Sequence, residues 1–194
     1  MNDRLSLEYL GSAVDPREYP RSGLPEVAIV GRSNSGKSSL LNLVGGRRDL
    51  ARVSKTPGRT HRIHFFADRR HGVVVVDLPG YGFAQVSKSE HARFTEAIER
   101  YLVERDALRG LVLLLDVRRE PEDDERVLAN LARRRGIGFA RVATKIDKLA
   151  RGERAKRLRE LDAAGLGPWL PFSAASREGL AGIVAAVREL ARVS

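Results

Sequence analysis

Gly31-Arg32-Ser33-Asn34-Ser35-Gly36-Lys37-Ser38 is a G-x-x-x-x-G-K-S stretch. It stands between an apolar run, Val27-Ala28-Ile29-Val30, and a helix-like run, Ser39-Leu40-Leu41-Asn42-Leu43-Val44. A strand, a glycine-rich turn and a helix in that order make a phosphate-binding loop. The glycines let the backbone turn sharply and aim its N–H groups at a β-phosphate. Lys37 sets a charge between the β- and γ-phosphates, and the Ser38 hydroxyl is placed to ligate Mg²⁺. The following helix adds the positive end of its dipole to the same anion site. The loop implies a nucleoside triphosphate and leaves the base open.

The base is read further along. A strand-like run, Phe139-Ala140-Arg141-Val142-Ala143, leads into Thr144-Lys145-Ile146-Asp147, the form of the guanine-reading [N/T]-K-x-D motif. A carboxylate at Asp147 accepts from guanine N1–H and N2–H₂; adenine offers no such donor pair, and a buried acceptor left unpaired costs about 1–3 kcal/mol. The Lys145 stem can lie along the base while its ammonium returns to the phosphate loop. Between these motifs, the β-branched run Val73–Val76 delivers Asp77-Leu78-Pro79-Gly80, a D-x-x-G switch whose Asp holds Mg²⁺ through water and whose Gly80 N–H reaches the γ-phosphate. Thr56-Pro57-Gly58-Arg59-Thr60 is a Gly/Pro-punctuated segment with Thr60 as candidate Mg²⁺ ligand. Trp169-Leu170-Pro171-Phe172 runs into Ser173-Ala174, whose backbone N–H groups can bind guanine O6.

Five motifs in this order resemble one GTPase family, the EngB (YihA/YsxC) group of the TrmE–Era–EngA–EngB–Septin-like class. The resemblance spans nearly the whole chain and is carried most specifically by G-R-S-N-S-G-K-S-S-L-L-N at 31–42, S-K-T-P-G-R-T at 54–60 and D-L-P-G-Y-G-F-A at 77–84. It implies a GTPase that assists assembly of the large ribosomal subunit, with linked effects on cell division and septation. It also implies nucleotide contacts at Gly31 through Ser38, at Gly58, Arg59, Thr60, His61 and Arg62, at Asp77 through Gly80, at Thr144, Lys145, Ile146 and Asp147, and at Phe172, Ser173 and Ala174. Mg²⁺ is implied at Ser38 and Thr60, and at Asp77 through water; the residues implied in catalysis are Lys37, Ser38, Thr60 and Gly80. His61-Arg62 departs from the family pattern, which has Gln followed by an apolar or small polar residue. Asn34 resembles the Asn that helps hold K⁺ in related GTPases; an Asn that braces the turn fits the residue equally.

At 194 residues one α/β domain is expected, with a loosely ordered N-terminal arm over 1–22 and a single GTP-binding domain over 23–194. No cysteine is present, which excludes disulfides and Cys-based metal sites. No apolar run approaches a membrane span, so a cytoplasmic monomer is the expectation. The net charge of +10, carried mostly by arginine, fits either an anionic partner or arginines spread over every surface; the resemblance implies that the partner is the large ribosomal subunit or its precursor. Arg47, Arg48, Arg52, Arg59 and Arg62 near the first switch and the segment Arg151–Arg159 are candidate RNA contacts. Arg133-Arg134-Arg135 equally complements a helix dipole. His61, His64, His71 and His91 lack metal-ligand spacing and read as surface or switch residues.

Alternating periodicities predict strands near 27–30, 62–67, 72–77, 111–116, 139–144 and 168–172 and helices over 37–44, 88–105, 122–135, 150–162 and 179–192. The expected fold is a doubly wound, mostly parallel six-stranded sheet with one antiparallel edge strand, that of P-loop GTPases. Signalling GTPases carry a water-orienting Gln directly after D-x-x-G. Tyr81 at that position is too weak a base and too bulky for that job, so slow intrinsic hydrolysis is expected. A signalling or trafficking GTPase, an ATP-using enzyme and an RNA-binding module with a weakly active nucleotide site are the rival readings.

Overall fold

The computed structural model describes residues 4–47, 49–50, 62–82 and 88–192. Strands β1 (Glu8–Ala13), β2 (Glu26–Gly31), β3 (Ile63–Asp68), β4 (Val73–Asp77), β5 (Leu108–Asp116), β6 (Gly138–Thr144) and β7 (Trp169–Pro171) alternate from β2 onward, except at the β3–β4 hairpin, with helices α1 (Lys37–Val44), α2 (Lys88–Glu104), α3 (Asp123–Arg135), α4 (Arg151–Leu161) and α5 (Leu180–Leu190). The strands form one sheet in the order β1-β3-β4-β2-β5-β6-β7, parallel except for β3, which runs antiparallel to both its neighbours. The doubly wound, mostly parallel fold is the expected one.

Two-residue periodicity splits the core across the sheet. On β2, Ala28 and Val30 face a core shared with Ile98, Tyr101 and Leu102 of α2 and Leu128 of α3. Val27 and Ile29 face the opposite core, with Leu40, Leu41 and Val44 of α1 and Ile183, Val184 and Val187 of α5. With both faces covered, the central strands read as continuous apolar runs. No helix among the described residues is long and apolar enough to cross a membrane.

Two expectations are corrected. The sheet has seven strands, and the segment expected as a loose arm supplies the seventh: β1 pairs with β3 in antiparallel register from Glu8↔Ala67 to Ala13↔Ile63, with an irregularity at Gly11. Therefore β3, expected as the antiparallel edge, lies one strand inside. An uncovered β3 would present unpaired backbone groups, and β1 satisfies them. Its own sequence is short and interrupted by a glycine; burial comes from tertiary partners, with Leu5 and Leu7 buried and the Tyr9 ring 5.6 Å from that of Phe66.

Asp68, fully buried at the end of β3, ties this arm down. Its carboxylate accepts from Ser6 N (3.0 Å) and His71 N (3.1 Å) and lies 2.6 Å from His71 Nδ1. Burial pushes this carboxyl up, but the hydrogen bonds from His71 and Ser6 outweigh it and hold Asp68 below its ordinary range. A folded-state pKa below the unfolded one gives stability that is present above about pH 4 and is lost as pH falls through the folded value. We expect the Ser6 amide to lose hydrogen-exchange protection ahead of the core strands as pH drops below 4, and Asp68→Ala to cost about 1–3 kcal/mol. A variant that unfolds in urea like the wild type would refute this tether.

Candidate functional site

The site forms at the carboxyl ends of the parallel strands, where α/β sheets leave a crevice. The Gly31–Ser38 loop leaves β2 and enters α1 directly. Gly36, with φ 94°, caps the helix in a backbone conformation that L side chains rarely adopt. Gly31 is required for space: a Cβ there would lie 2.6 Å from Ser35 Oγ and 2.9 Å from the Leu114 carbonyl. Asn34 is exposed with φ 62°, and Ser35 N donates to Arg32 O at 3.0 Å. The first turn of α1 thus points unsatisfied N–H groups into the crevice.

The switch element is zipped to this loop through its backbone. Leu78 N donates to Ile29 O (3.1 Å), Tyr81 N to Gly31 O (3.3 Å) and Ser33 N to Tyr81 O (2.8 Å). Leu78 and Pro79 are buried beneath it, and Gly80 sits against it, the position of a Cβ there being 3.4 Å from Gly31 O. Asp77, 2% exposed at the end of β4, is ion-paired with Lys37. Ser38 is half-buried one residue further along α1. A hydroxyl and a carboxylate are hard oxygen donors of the kind Mg²⁺ takes, and Mg²⁺ needs few protein ligands because it keeps most of its water. These two residues could hold it. Gly58, Arg59, Thr60 and His61 lie outside the described residues, as do Arg48 and Arg52.

The third motif is fastened to the first. Thr144 Oγ1, buried at the end of β6, donates to Ser35 O (2.7 Å) and Leu115 O (3.1 Å), and Lys145 Nζ donates to Asn34 O (2.7 Å). Lys145 has φ 59°, a sharp turn that sends its side chain back over the loop. Ile146 is buried, and its N–H donates to Phe172 O at 3.3 Å. Phe172 N in turn donates to Ala143 O at 2.9 Å, which sets the last loop beside the third motif. Ser173 donates its hydroxyl to Asp147 Oδ1 at 2.7 Å, and Ala174 packs under the same loop. The Ser173 hydrogen bond holds the Asp147 carboxyl below its ordinary range, so it stays an acceptor at neutral pH.

Several side chains have partners that the sequence does not show. Arg62 turns away from the crevice and donates to Ser12 Oγ (2.8 Å) and Ser12 O (2.9 Å), clamping β1. Arg32 reaches Glu122 at the start of α3 (2.6 Å). His64 is buried rather than at the surface: it is 7% exposed, in register with Asp77, and its burial lowers its pKa. His71 is bound to Asp68. In α4, Arg154 pairs with Glu178 (3.1 Å), Lys156 with Glu160 (3.9 Å), and Arg157 reaches Glu120 (2.5 Å), Glu160 (3.2 Å) and Val117 O (2.8 Å), so three of the five basic residues over 151–159 are paired internally.

Two residues were missed. Asp116, ending β5, lies 3.0 Å from Lys145 Nζ and is also held by Arg118 (2.7 Å). Burial pushes its carboxyl up, yet Arg118 and Lys145 keep it well below the usual carboxylate range. The signal was present: Leu111–Asp116 repeats the pattern of Val73–Asp77, an apolar strand ending in Asp. Glu125 accepts from the Tyr81 hydroxyl at 2.8 Å inside the core. Tyr81 is 4% exposed, and burial first, then the neighbouring carboxylates, hold its phenol protonated.

Comparison with known proteins agrees with this geometry. Residues 26–145 match the family model described as "50S ribosome-binding GTPase". A probable GTP-binding protein EngB of Exiguobacterium sibiricum is 41% identical, over 89% of this chain and 91% of its own. Among solved structures, a probable GTP-binding protein engB superposes with a TM-score of 0.72 at 22% identity, covering 86% of this chain and 98% of that one. Era in complex with MgGDPNP and a segment of 16S ribosomal RNA superposes with a TM-score of 0.65 at 23% identity, covering 86% and 56%. The two superpositions support the fold.

Proposed function

Since the chain belongs to the EngB family of GTP-binding proteins and so is a P-loop GTPase, we propose that it works as an assembly switch on the large ribosomal subunit or its precursor. The observation that carries the nucleotide half of this reading is the tie between base-reading and phosphate loops: Thr144 on Ser35 O and Lys145 on Asn34 O, both at 2.7 Å. Guanine and phosphates are thereby measured against one rigid frame. The ribosomal half is supported by the description of the matched family and by the net charge of +10. Linked effects on cell division and septation belong to the same reading.

In this reading the loop N–H groups from Gly31 to Ser38 bind the phosphates, Lys37 spans the β- and γ-groups, and Gly80 N–H reports the γ-phosphate. Asp147 reads guanine, with Ser173 and Ala174 at its O6. Mg²⁺ at Ser38, Thr60 and Asp77 would supply charge neutralisation on the phosphate oxygens. Asn34 would brace the turn or lend its side chain to K⁺. Tyr81, anchored on Glu125, neither takes a proton nor orients water, which supports a low intrinsic rate and a switch that waits for its partner.

The test joins both halves. Asp147→Asn should weaken GTP binding by about 1–3 kcal/mol, roughly 5- to 150-fold, and favour xanthosine triphosphate, whose C2 oxygen accepts from the new amide. Wild-type protein should co-sediment with large subunits more strongly with GTP than with GDP, and the variant should do so only with xanthosine triphosphate. Sedimentation indifferent to the nucleotide sinks the switch.

A further inference from the structure

The arginines sort into two kinds. Many are committed to carboxylates: Arg105 to Glu26, Arg118 to Asp116, Arg154 to Glu178, Arg157 to Glu120 and Glu160. Arg4, Arg47, Arg70 and Arg177 hold no ion pair to any described residue. Those four line two adjoining cavities, of about 490 and 280 Å³, that share Arg4 and Arg47. They come from four separate places in the chain: the segment before β1, the turn after α1, the β3–β4 turn and the loop before α5. Among the described lining residues Glu8 is the carboxylate, and Arg69 Nε stands 4.0 Å from it.

We infer that this groove grips the phosphate backbone of RNA; that the RNA is ribosomal rests on the function proposed above. A single phosphate calls for donors in one cavity, whereas four arginines shared between two adjoining cavities match successive phosphates of a strand. Arginines that spend no charge inside the fold are free to release counterions from a polyanion. Helix α4, the stronger candidate by sequence, ranks second because Arg154, Lys156 and Arg157 are held by their own neighbours, which leaves it Arg151 and Arg159 against four arginines in the groove that pair with no described residue. The groove also differs from the nucleotide crevice. It lies at the far end of α1 from Lys37, about 12 Å along an eight-residue helix.

Filter binding of purified large-subunit ribosomal RNA across a KCl series tests this. The triple variant Arg4→Ala/Arg47→Ala/Arg70→Ala should bind more weakly and flatten the log–log salt slope by about 2, at roughly 0.7 per lost single-strand contact. Arg177→Gly should weaken RNA binding without loss of stability, because it removes the charge and relieves a φ of 62°. Arg151→Ala/Arg159→Ala on α4 should leave the slope unchanged. Guanine-nucleotide affinity and melting temperature, unchanged throughout, establish that the variants are folded and the crevice intact. A triple variant that is folded and keeps the wild-type slope overturns the groove alone. Wild-type protein that binds no ribosomal RNA overturns the ribosomal reading and the groove with it.

Discussion

Lys37→Ala is expected to lower GTP and GDP affinity by about 2–5 kcal/mol, some 30-fold to several thousand-fold, read by titration with a fluorescent guanine nucleotide. The loss has two sources. The phosphates lose the ammonium that would lie between them. Asp77, 3% exposed by its side chain, loses the partner with which it is ion-paired and becomes a bare carboxylate facing an anion site. The second source makes a separable forecast. Asp77→Asn in the Lys37→Ala background should recover part of the GDP affinity, since it removes the uncompensated charge. Lys37→Arg should recover little, because a planar fork does not fit where a compact ammonium is cradled by backbone. Binding of GTP by Lys37→Ala within threefold of wild type would show that this loop is not the phosphate site.

What could be read from sequence was what is local. Val73–Val76 followed by Asp77, or the run 27–30 followed by G-x-x-x-x-G-K-S, places a strand, its end and a functional side chain within ten residues, so periodicity and motif arrive together. The helix limits were legible for the same reason. What escaped was set by partners far along the chain. The strand β1 is a strand because β3 has an open edge, 50 to 60 residues away, and its own sequence says little. Arg62 stands beside Thr60 in sequence, and only the fold shows its side chain on Ser12, 50 residues back. Tyr81 reads in sequence as too weak a base to activate water, but its partner Glu125, 44 residues on, is set by the fold alone. Net charge was legible as a total; which arginines are spent and which are free needed coordinates.

Glu26→Ala is expected to destabilise the protein by about 3–5 kcal/mol, lowering the melting temperature by about 6–20 °C for a chain of this size. Glu26 opens β2 and is 1% exposed. Its carboxylate accepts from the Tyr101 hydroxyl (2.5 Å) and from Arg105 Nε (2.9 Å), with a second Arg105 nitrogen ion-paired beside them. Arg105 also donates to Pro20 O (2.7 Å) and lies over the Tyr19 ring at 5.5 Å, so one buried cluster joins α2, the central strand and the chain entering it. Glu26 raises the pKa of Arg105 by hydrogen bonding, while burial before all else raises that of Tyr101. Truncating the acid therefore strands a buried guanidinium and a buried phenol together. Replacing the pair with apolar residues of similar volume removes the stranded charge as well. Glu26→Leu/Arg105→Met should accordingly recover about half of the loss, leaving a cost near that of the orphaned Tyr101 hydroxyl, about 1–3 kcal/mol. Guanine-nucleotide affinity should be unchanged in every folded variant, because Glu26 and the phosphate loop stand at opposite ends of the same strand, roughly 16 Å apart. Urea unfolding of the single and double variants decides it: a single variant within 1 kcal/mol of wild type would mean that water, not Glu26, satisfies Arg105.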